Sequence, residues 1–164
     1  MTPIEAKCFA RVYTFGKAIG SHGAVVVGSQ KLKQYLINFS KPFIYSTALE
    51  THNLLSVKHS YFYLQSTINQ QIKLNNLIFY FKNKFHSLKT KFSLIGNGPI
   101  FGILVLGNEN CRRIAKHLQE NGLDIRPIVA PTVPKGTERL RIILHSYNSK
   151  EEIDLLCKLL TDYQ

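Results

Sequence analysis

The sequence lacks the features that mark membrane-spanning, secreted and disulfide-stabilised proteins. No apolar run reaches the roughly 18 residues that a transmembrane helix needs, so we expect no membrane association. Residues 1–16 contain no apolar segment that ends in a small-residue cleavage site, which argues against secretion. Cys8, Cys111 and Cys157 are odd in number and far apart, so they fit neither a disulfide framework nor a metal site. Together these absences predict a cytoplasmic protein without a bound metal ion.

Acidic residues are also scarce, and their scarcity leaves a large positive charge. The chain has 10 Asp and Glu against 21 Lys and Arg, which gives a formal net charge of +11. Such an excess favours an anionic partner, for example a phosphate-rich ligand or nucleic acid. However, the basic residues are dense only in FKNKFHSLKTKF, at residues 81–92. A dispersed surplus is more typical of a solubilising surface, so we do not expect nucleic acid to be the partner.

Apolar residues make up 45% of the 164 positions, which is enough for a globular chain. In the first half their spacing predicts two strands, a helix, a short extended piece and a long helical region. These elements cover, in order, residues 8–15, 23–29, 30–40, 43–48 and 51–85. Lys41-Pro42 is expected to stop the first helix, and Asn75-Asn76 is a candidate break in the long helical region.

The second half has a different pattern, in which strands alternate with helices. The predicted elements are a buried strand, a helix that ends at Asn121-Gly122, an extended piece, an alternating strand and a final helix. They cover, in order, residues 98–107, 108–122, 124–130, 139–146 and 149–160. Ser149 and Glu152 have capping-box spacing at the start of the last helix. This order predicts a small α+β domain with a short sheet covered by helices on one side.

A lysine among glycines is the first candidate for chemistry. In VYTFGKAIGSHGAVVVG, Lys17 lies between two predicted strands, and Thr14 precedes it by three positions. A deprotonated lysine amine forms a Schiff base with an aldehyde cofactor, and hydroxyls and backbone N–H groups hold the phosphate of such a cofactor. The alternative interpretation is an ordinary solvated loop lysine, which the residues alone do not exclude.

Two further stretches carry polar groups with binding chemistry. In APTVPKGTERLRI, Arg139 and Arg141 fall on one face of a predicted strand, where a guanidinium can bind a carboxylate. In FIYSTA, Ser46 and Thr47 precede a predicted helix, and their hydroxyls suit either a helix cap or a phosphate. The alternative for the arginines is a solvated surface strand.

Taken together, TFGKAIGSHGA, KPFIYSTAL and APTVPKGTERLRIILHSYNSKEEID resemble, in order and spacing, stretches of the α-oxoamine synthases. These are pyridoxal-phosphate enzymes of the aspartate-aminotransferase fold type, which condense an amino acid with an acyl-CoA and release CO₂. The resemblance implies an α/β fold, namely the C-terminal remainder of that fold. It assigns residues 1–50 to the end of the cofactor-binding large domain, residues 51–91 to a connecting helical region, and residues 92–164 to a small C-terminal α+β domain.

The resemblance also implies roles for the residues around the lysine. Lys17 would hold pyridoxal 5′-phosphate through its amine and then remove the α-proton of the amino acid. Thr14 would bond the cofactor phosphate. Thr47, with Ser46 nearby, would reach the phosphate in the neighbouring subunit, because the sites of this family lie at a dimer interface.

For the substrates, the resemblance implies that Arg141 holds the amino-acid carboxylate and that Thr132 lies at the entrance. PTVPKGTERLRI and LHSYN look most like the biotin-pathway branch, which joins L-alanine to pimeloyl-CoA, with the glycine C-acetyltransferase branch close behind. Family members are far longer and carry further cofactor contacts before the lysine strand. We therefore expect a fragment that is inactive alone, or that works as a homodimer or with a full-length or N-terminal chain. A non-catalytic remnant is the alternative.

Overall fold

The computed structural model describes residues 7–163, which fall into two compact units that divide between Thr67 and Ile68. Each unit combines antiparallel strands with helices, which confirms the mixed α/β class. Among the helices described, none combines the length and the apolar character that crossing a membrane requires. The functional identities assigned above to residues 1–50, 51–91 and 92–164 stay predictions.

The first unit consists of a hairpin and three helices. Its elements are β1 (Ala10–Thr14), β2 (Ala24–Gly28), α1 (Gln30–Phe39), α2 (Lys41–Ile44) and α3 (Thr51–Ser66). The two strands pair with Ala10 opposite Gly28 and Thr14 opposite Ala24. The predicted strands and the predicted first helix are therefore confirmed.

One expectation about the first unit is wrong: Phe43 and Ile44 belong to the short helix α2 and are not extended. The first helix ends before Lys41-Pro42 as expected, and Lys41-Pro42 begins α2. The reason is that proline is tolerated in the first turn of a helix, where its missing N–H has no partner to lose. Residues 46–50, which follow α2, have no regular secondary structure.

The long helical region is two helices, and its break lies at Thr67 rather than at Asn75-Asn76. The Thr67 hydroxyl donates to the carbonyl of Tyr63 over 2.8 Å, and the Ser66 hydroxyl donates to the same carbonyl over 2.9 Å. Two side-chain donors on one carbonyl replace the regular helical bond and favour termination. Both asparagines instead lie inside the next helix.

The second unit is a four-stranded antiparallel sheet with three helices. Its elements are α4 (Ile68–His86), β3 (Ser93–Ile95), β4 (Ile100–Leu104), α5 (Asn108–Glu120), β5 (Arg126–Ile128), β6 (Arg139–Ile143) and α6 (Lys150–Asp162). The strand order is β3-β4-β6-β5. The short strand β3 was not predicted, since three residues carry too little periodicity to identify a strand.

One face of this sheet forms the core. Leu140, Ile142 and Leu144 are buried, whereas Arg141 and Ile143 between them are exposed, which confirms the predicted alternation. The helices add buried side chains to the same core, among them Leu77, Phe81 and Phe85 of α4, Ile114 and Leu118 of α5, and Leu156 and Leu160 of α6. The outer face of the strands is consequently free to present polar groups.

The predicted helix ends of this unit are confirmed. Gly122, which follows the C-cap residue Asn121 of α5, has φ +86°, the left-handed conformation that ends many helices. At the start of α6, the Ser149 hydroxyl accepts from the Glu152 N–H, and the Glu152 carboxylate accepts from the Ser149 N–H. This reciprocal capping box fixes where α6 begins.

Candidate functional site

Lys17 lies in the connection between β1 and β2, which we call the lysine loop (residues 15–23). The loop closes on itself: the Phe15 N–H donates to the Gly23 carbonyl over 2.8 Å, and the Ser21 N–H donates to the Phe15 carbonyl over 2.9 Å. The Gly20 N–H donates to the Lys17 carbonyl over 2.9 Å, in a turn where Gly20 has φ +66°. Because a side chain at such a φ is strained, glycine shapes this turn. Lys17 itself is exposed.

Two serines fasten the lysine loop to α3. The Ser60 hydroxyl donates to the Ile19 carbonyl over 3.0 Å, and the Ser21 hydroxyl donates to the Asn53 carbonyl over 3.4 Å. These bonds restrain the backbone on the C-terminal side of Lys17 although the loop is largely exposed. The sequence offered no signal for this pairing, because 41 positions separate Ser60 from Ile19.

The segment with Ser46 and Thr47 approaches the end of the lysine loop. A Cβ atom built on Gly23 would lie 2.9 Å from Cδ1 of Leu49, so this leucine packs against the glycine backbone. Neither Ser46 nor Thr47 caps α3, whose N-cap is Glu50 without a side-chain bond. Both hydroxyls are exposed and make no hydrogen bond with another described residue. The helix-cap interpretation is therefore wrong, and the hydroxyls are free to meet a ligand.

In the second unit, Arg141 lies on the outer face of β6 and lines a cavity of about 490 Å³. Its cross-strand neighbour on β5 is Arg126, whose Nε is 2.7 Å from Oδ1 of Asp124. The Arg139 side chain also has a partner, since its Nε donates to the Thr137 carbonyl over 2.9 Å. Within the described part of the chain Arg141 has no such partner, so its guanidinium is available to an anionic ligand.

Thr132 lies in the connection between β5 and β6, which we call the β5–β6 loop (residues 129–138). Its side chain is exposed, and its N–H donates to the Val129 carbonyl over 2.9 Å. Two residues that sequence reasoning missed, Asn108 and Glu138, hydrogen-bond to the backbone of this loop.

The ionisable groups near these elements have clear electrostatic roles. Hydrogen bonds from its own N–H and from those of Gly136 and Gly107 lower the pKa of Glu138 below the ordinary value for glutamate. Burial raises the pKa of Cys111 and of Cys157 to about 11, so both thiols stay protonated and unreactive near neutral pH. In the described part of the chain, no three His, Cys, Asp or Glu side chains are grouped closely enough to hold a metal ion.

The predicted site residues are thus distributed over both units. Thr14, Lys17, Ser46 and Thr47 belong to the first unit, where the lysine loop and the segment after α2 meet through Leu49. Thr132 and Arg141 belong to the second unit, on the β5–β6 loop and on the strand that follows it. Each group is fixed by the contacts of its own unit.

Known proteins resemble this chain in sequence and in structure. The 8-amino-7-oxononanoate synthase of Emericella nidulans is 38% identical over 168 aligned positions, which cover 98% of this chain and 40% of that protein. The crystal structure of 8-amino-7-oxononanoate synthase from Francisella tularensis matches 95% of this chain with a TM-score of 0.77 and 27% identity, over 45% of its own length. Serine palmitoyltransferase of Sphingomonas wittichii shares the fold, with a TM-score of 0.82 at 18% identity, over 97% of this chain and 40% of its own.

These matches confirm the resemblance seen in the sequence and the assignment to a C-terminal portion of the pyridoxal-phosphate transferase fold. The chain spans about 40% of the length of the curated relative it matches. The relatives are pyridoxal-phosphate-dependent transferases, so the cofactor of the family is pyridoxal 5′-phosphate. The sequence profile of the aminotransferase class I and II family matches residues 4–160, and the chain therefore belongs to that family.

Proposed function

We propose that the chain serves in the condensation of an amino acid with an acyl-CoA, with loss of CO₂, as in 8-amino-7-oxononanoate synthase. The proposed substrates are L-alanine and pimeloyl-CoA, which places the protein in biotin synthesis. The proposal depends chiefly on one observation: Lys17 is exposed in a fastened, glycine-shaped loop of a chain that matches the family over residues 4–160. The three free cysteines agree with a cytoplasmic location.

The groups present around the lysine loop fit pyridoxal phosphate. A lysine amine is the group that binds an aldehyde, and hydroxyls are suitable donors to a phosphate. Lys17, Thr14, Ser46 and Thr47 are all exposed, and neither Ser46 nor Thr47 bonds another described residue. When bound, pyridoxal phosphate supplies an electron sink for the amino-acid carbon. We therefore assign Lys17 to covalent attachment, Thr14 to the phosphate of the cofactor bound to the same chain, and Thr47, with Ser46 nearby, to the phosphate of the cofactor in the neighbouring subunit.

The remaining steps belong to the protein's own groups. The Lys17 amine takes the α-proton of the amino acid, and the bonds from Ser21 and Ser60 limit how far its backbone moves while it does so. The free Arg141 guanidinium receives the amino-acid carboxylate in the cavity of about 490 Å³. The net charge of +11 favours an acyl-CoA, whose phosphates are anionic.

The assembly we propose is a homodimer in which Thr47 serves the neighbouring subunit. It is supported by the exposed apolar side chains of the first unit, such as Val12 at 64% and Phe43 at 64% exposure. A second candidate rests on the same surface: a chain that is not catalytic alone and pairs with a longer or N-terminal chain. Sedimentation velocity of the purified chain separates these assemblies, because a monomer that remains monodisperse at high concentration contradicts the homodimer and supports the second candidate.

The cofactor assignment is tested by trapping. We expect the purified chain to develop visible absorbance with pyridoxal phosphate, and borohydride reduction to leave a stable adduct that peptide mapping places on Lys17. Lys17→Ala should lose the adduct, whereas Lys31→Ala, an exposed lysine on α1, should keep it. An adduct spread over many surface lysines, or one that persists in Lys17→Ala, contradicts the proposal.

The reaction is tested by turnover. CoA release is measured with a thiol reagent for L-alanine with pimeloyl-CoA and for glycine with acetyl-CoA. Faster release with the first pair supports the proposed branch, and faster release with the second supports a glycine C-acetyltransferase-like enzyme. An adduct on Lys17 without turnover in either assay supports the non-catalytic partner chain.

A further inference from the structure

The β5–β6 loop, which carries Thr132, is bound at both ends to one short turn, Gly107-Asn108. At the first end, Nδ2 of Asn108 donates to the Ala130 carbonyl over 3.1 Å, and Oδ1 accepts from the Ala130 N–H over 3.0 Å. An amide side chain that both donates to and accepts from one residue imitates the pairing of a neighbouring strand. Asn108 therefore fixes the position and the orientation of the loop where it leaves β5.

At the second end, a buried carboxylate makes the connection. Glu138 is 1% exposed, and its Oε2 accepts from the N–H of Gly107 over 3.2 Å and from that of Gly136 over 3.0 Å. Both glycines have positive φ, +88° for Gly107 and +87° for Gly136. Since an L side chain is strained in that conformation, the two turns that aim these N–H groups at the carboxylate require glycine.

The backbone of Glu138 joins the same place, because its carbonyl accepts from the Val105 N–H over 2.9 Å just before the turn. Among the polar and charged residues the structure describes, Glu138 alone is buried. A buried carboxylate is costly without hydrogen-bond donors, and here every donor is a backbone N–H of this turn or this loop. The carboxylate therefore holds the backbone of the Gly107-Asn108 turn and the backbone of the β5–β6 loop together.

Beyond these connections, Val129 at the start of the loop packs against the core, and most of the residues that follow are exposed. Pro131, Thr132, Pro134 and Lys135 are exposed. The remaining bonds are short-range turns, such as Thr132 N–H to Val129 over 2.9 Å and Thr137 N–H to Pro134 over 3.0 Å. Such turns shape the loop but do not place it on the domain. The connections made by Asn108 and Glu138 do.

We propose that Asn108 and Glu138 are positioning residues that hold the β5–β6 loop, and with it Thr132, in the geometry in which the substrate is bound. This inference rests on the proposed function for the role of Thr132. The anchor is the N-terminal turn of α5, whose Cys111 and Ile114 are buried in the core. These two side chains therefore connect the polar part of the loop to the core of the second unit, in addition to the packing of Val129.

Hydrogen exchange on the full chain, read by peptic peptides, tests the positioning directly. In Asn108→Ala and Glu138→Gln, we expect the amides of residues 129–138 to exchange at least about tenfold faster, while those of β4 and β6 keep their protection. Asn110→Ala and Glu109→Gln are the matched controls, because these residues lie in the same turn of α5 without bonding to the loop. Unchanged exchange in both test variants overturns the proposal, and so does a uniform loss of protection across the second unit.

The pH dependence distinguishes the carboxylate from a merely space-filling side chain. Because Glu138 is bonded as the carboxylate, protonation weakens the tie, so loop exchange corrected for intrinsic rates should accelerate as the pH falls below about 4.5, the ordinary glutamate value. Glu138→Gln should show no such acceleration. An equal pH response in the wild type and in this variant overturns the role of the charge.

Kinetics and binding test the consequence for the substrate. A loop that must be ordered on binding weakens affinity, so the KM for the amino acid should rise about fivefold in both test variants while kcat changes less than twofold. The same factor is expected in the Kd for L-alanine measured by calorimetry. A fall in kcat at constant KM and Kd overturns positioning. A wild-type chain that binds no amino acid overturns the proposed function and the substrate role of the loop, whereas the exchange data still decide whether the two ties exist.

Discussion

The two units bury their side chains very differently. In the second unit, a continuous cluster joins the sheet to α4, α5 and α6, with Phe81, Ile103 and Leu160 fully buried. In the described part of the first unit, Phe15 is the one buried apolar residue. Burial of apolar area is the main stabilising term in folding. The second unit therefore has the means to fold by itself, whereas the first depends on hydrogen bonds and on whatever contacts its exposed apolar side chains.

This difference corresponds to the division of the proposed chemistry. The first unit presents the lysine loop, which the hydroxyls of Ser21 and Ser60 fasten to α3, and the second presents Arg141 and the β5–β6 loop on a stable core. Regions of low local stability are where functional loops are commonly found. An exposed apolar surface of this extent also marks an interface. The comparison therefore predicts that similar substitutions in the two units will lower the free energy of unfolding by different amounts.

The largest expected effect is a core deletion in the second unit. Phe81→Ala removes a ring that is 0% exposed and packs 5.0 Å from the ring of Phe101, and we expect it to lower the free energy of unfolding by about 3–5 kcal/mol. Phe43→Ala, at a site that is 64% exposed in the first unit, should change it by less than about 0.5 kcal/mol. Urea denaturation measures both. Equal losses of unfolding free energy in the two variants would contradict the conclusion that the units differ in how much burial stabilises them.

Helix caps offer a smaller and more closely matched comparison. Ser149→Ala breaks the capping box of α6 and should lower the free energy of unfolding by about 1 kcal/mol. Ser29→Ala removes the corresponding bond to the Leu32 N–H, 3.1 Å long, at the start of α1. Because α1 contributes no buried residue, we expect only local fraying there. Hydrogen exchange measured separately for α1 and α6 checks this, and global unfolding caused by the Ser29 variant would contradict it.

The attachment of the lysine loop comes next. Ser60→Ala removes the bond to the Ile19 carbonyl and should loosen the loop by about 0.5–1.5 kcal/mol, the usual net contribution of one hydrogen bond. Faster exchange of the loop amides and a lower yield of the borohydride-trapped adduct are the measurements. Ser56→Ala, on the same helix, is the control. If both variants trap cofactor as the wild type does, the bond to α3 has no part in presenting Lys17.

The smallest expected effect is a pH dependence of the stability of the second unit. Hydrogen bonds from Lys84 and Tyr80 lower the pKa of Asp154, and bonds from Ser149 and Asn148 lower that of Glu152. A lowered pKa in the folded state adds stability that is present above the ordinary values of 3.8 and 4.5 and is lost as the pH falls through and below them. Urea midpoints measured from pH 6 downwards should fall, and the fall should be smaller in Asp154→Asn.

Local patterns in the sequence were enough to predict several elements. The alternation of Leu140, Ile142 and Leu144 gave the inward face of β6, and the Ser149–Glu152 spacing gave the start of α6. Both signals lie within a few residues of the element they specify. The same holds for Arg141, whose outward direction followed from the alternation alone.

The interactions that sequence reasoning missed join distant positions. Glu138 meets Gly107 across 31 positions, Asn108 meets Ala130 across 22, and Ser60 meets Ile19 across 41. These residues become neighbours only in the tertiary structure, and the local spacing of residues in the sequence contains no information about such pairs. The break at Thr67 was missed for a different reason. The pair Asn75-Asn76 suggested a helix end, but the end is instead at Thr67, where a hydroxyl hydrogen-bonds back to a helical carbonyl.

The burial of Cys111 and Cys157 has a practical consequence for studying the lysine loop. Their protonated, enclosed thiols leave Cys8, exposed just ahead of β1, as the cysteine that a maleimide dye reaches in the folded chain. A fluorophore attached there sits two residues before the strand that leads to Lys17. The native sequence thus provides a single labelling position from which subunit association and cofactor loading can be followed optically, without any engineered residue.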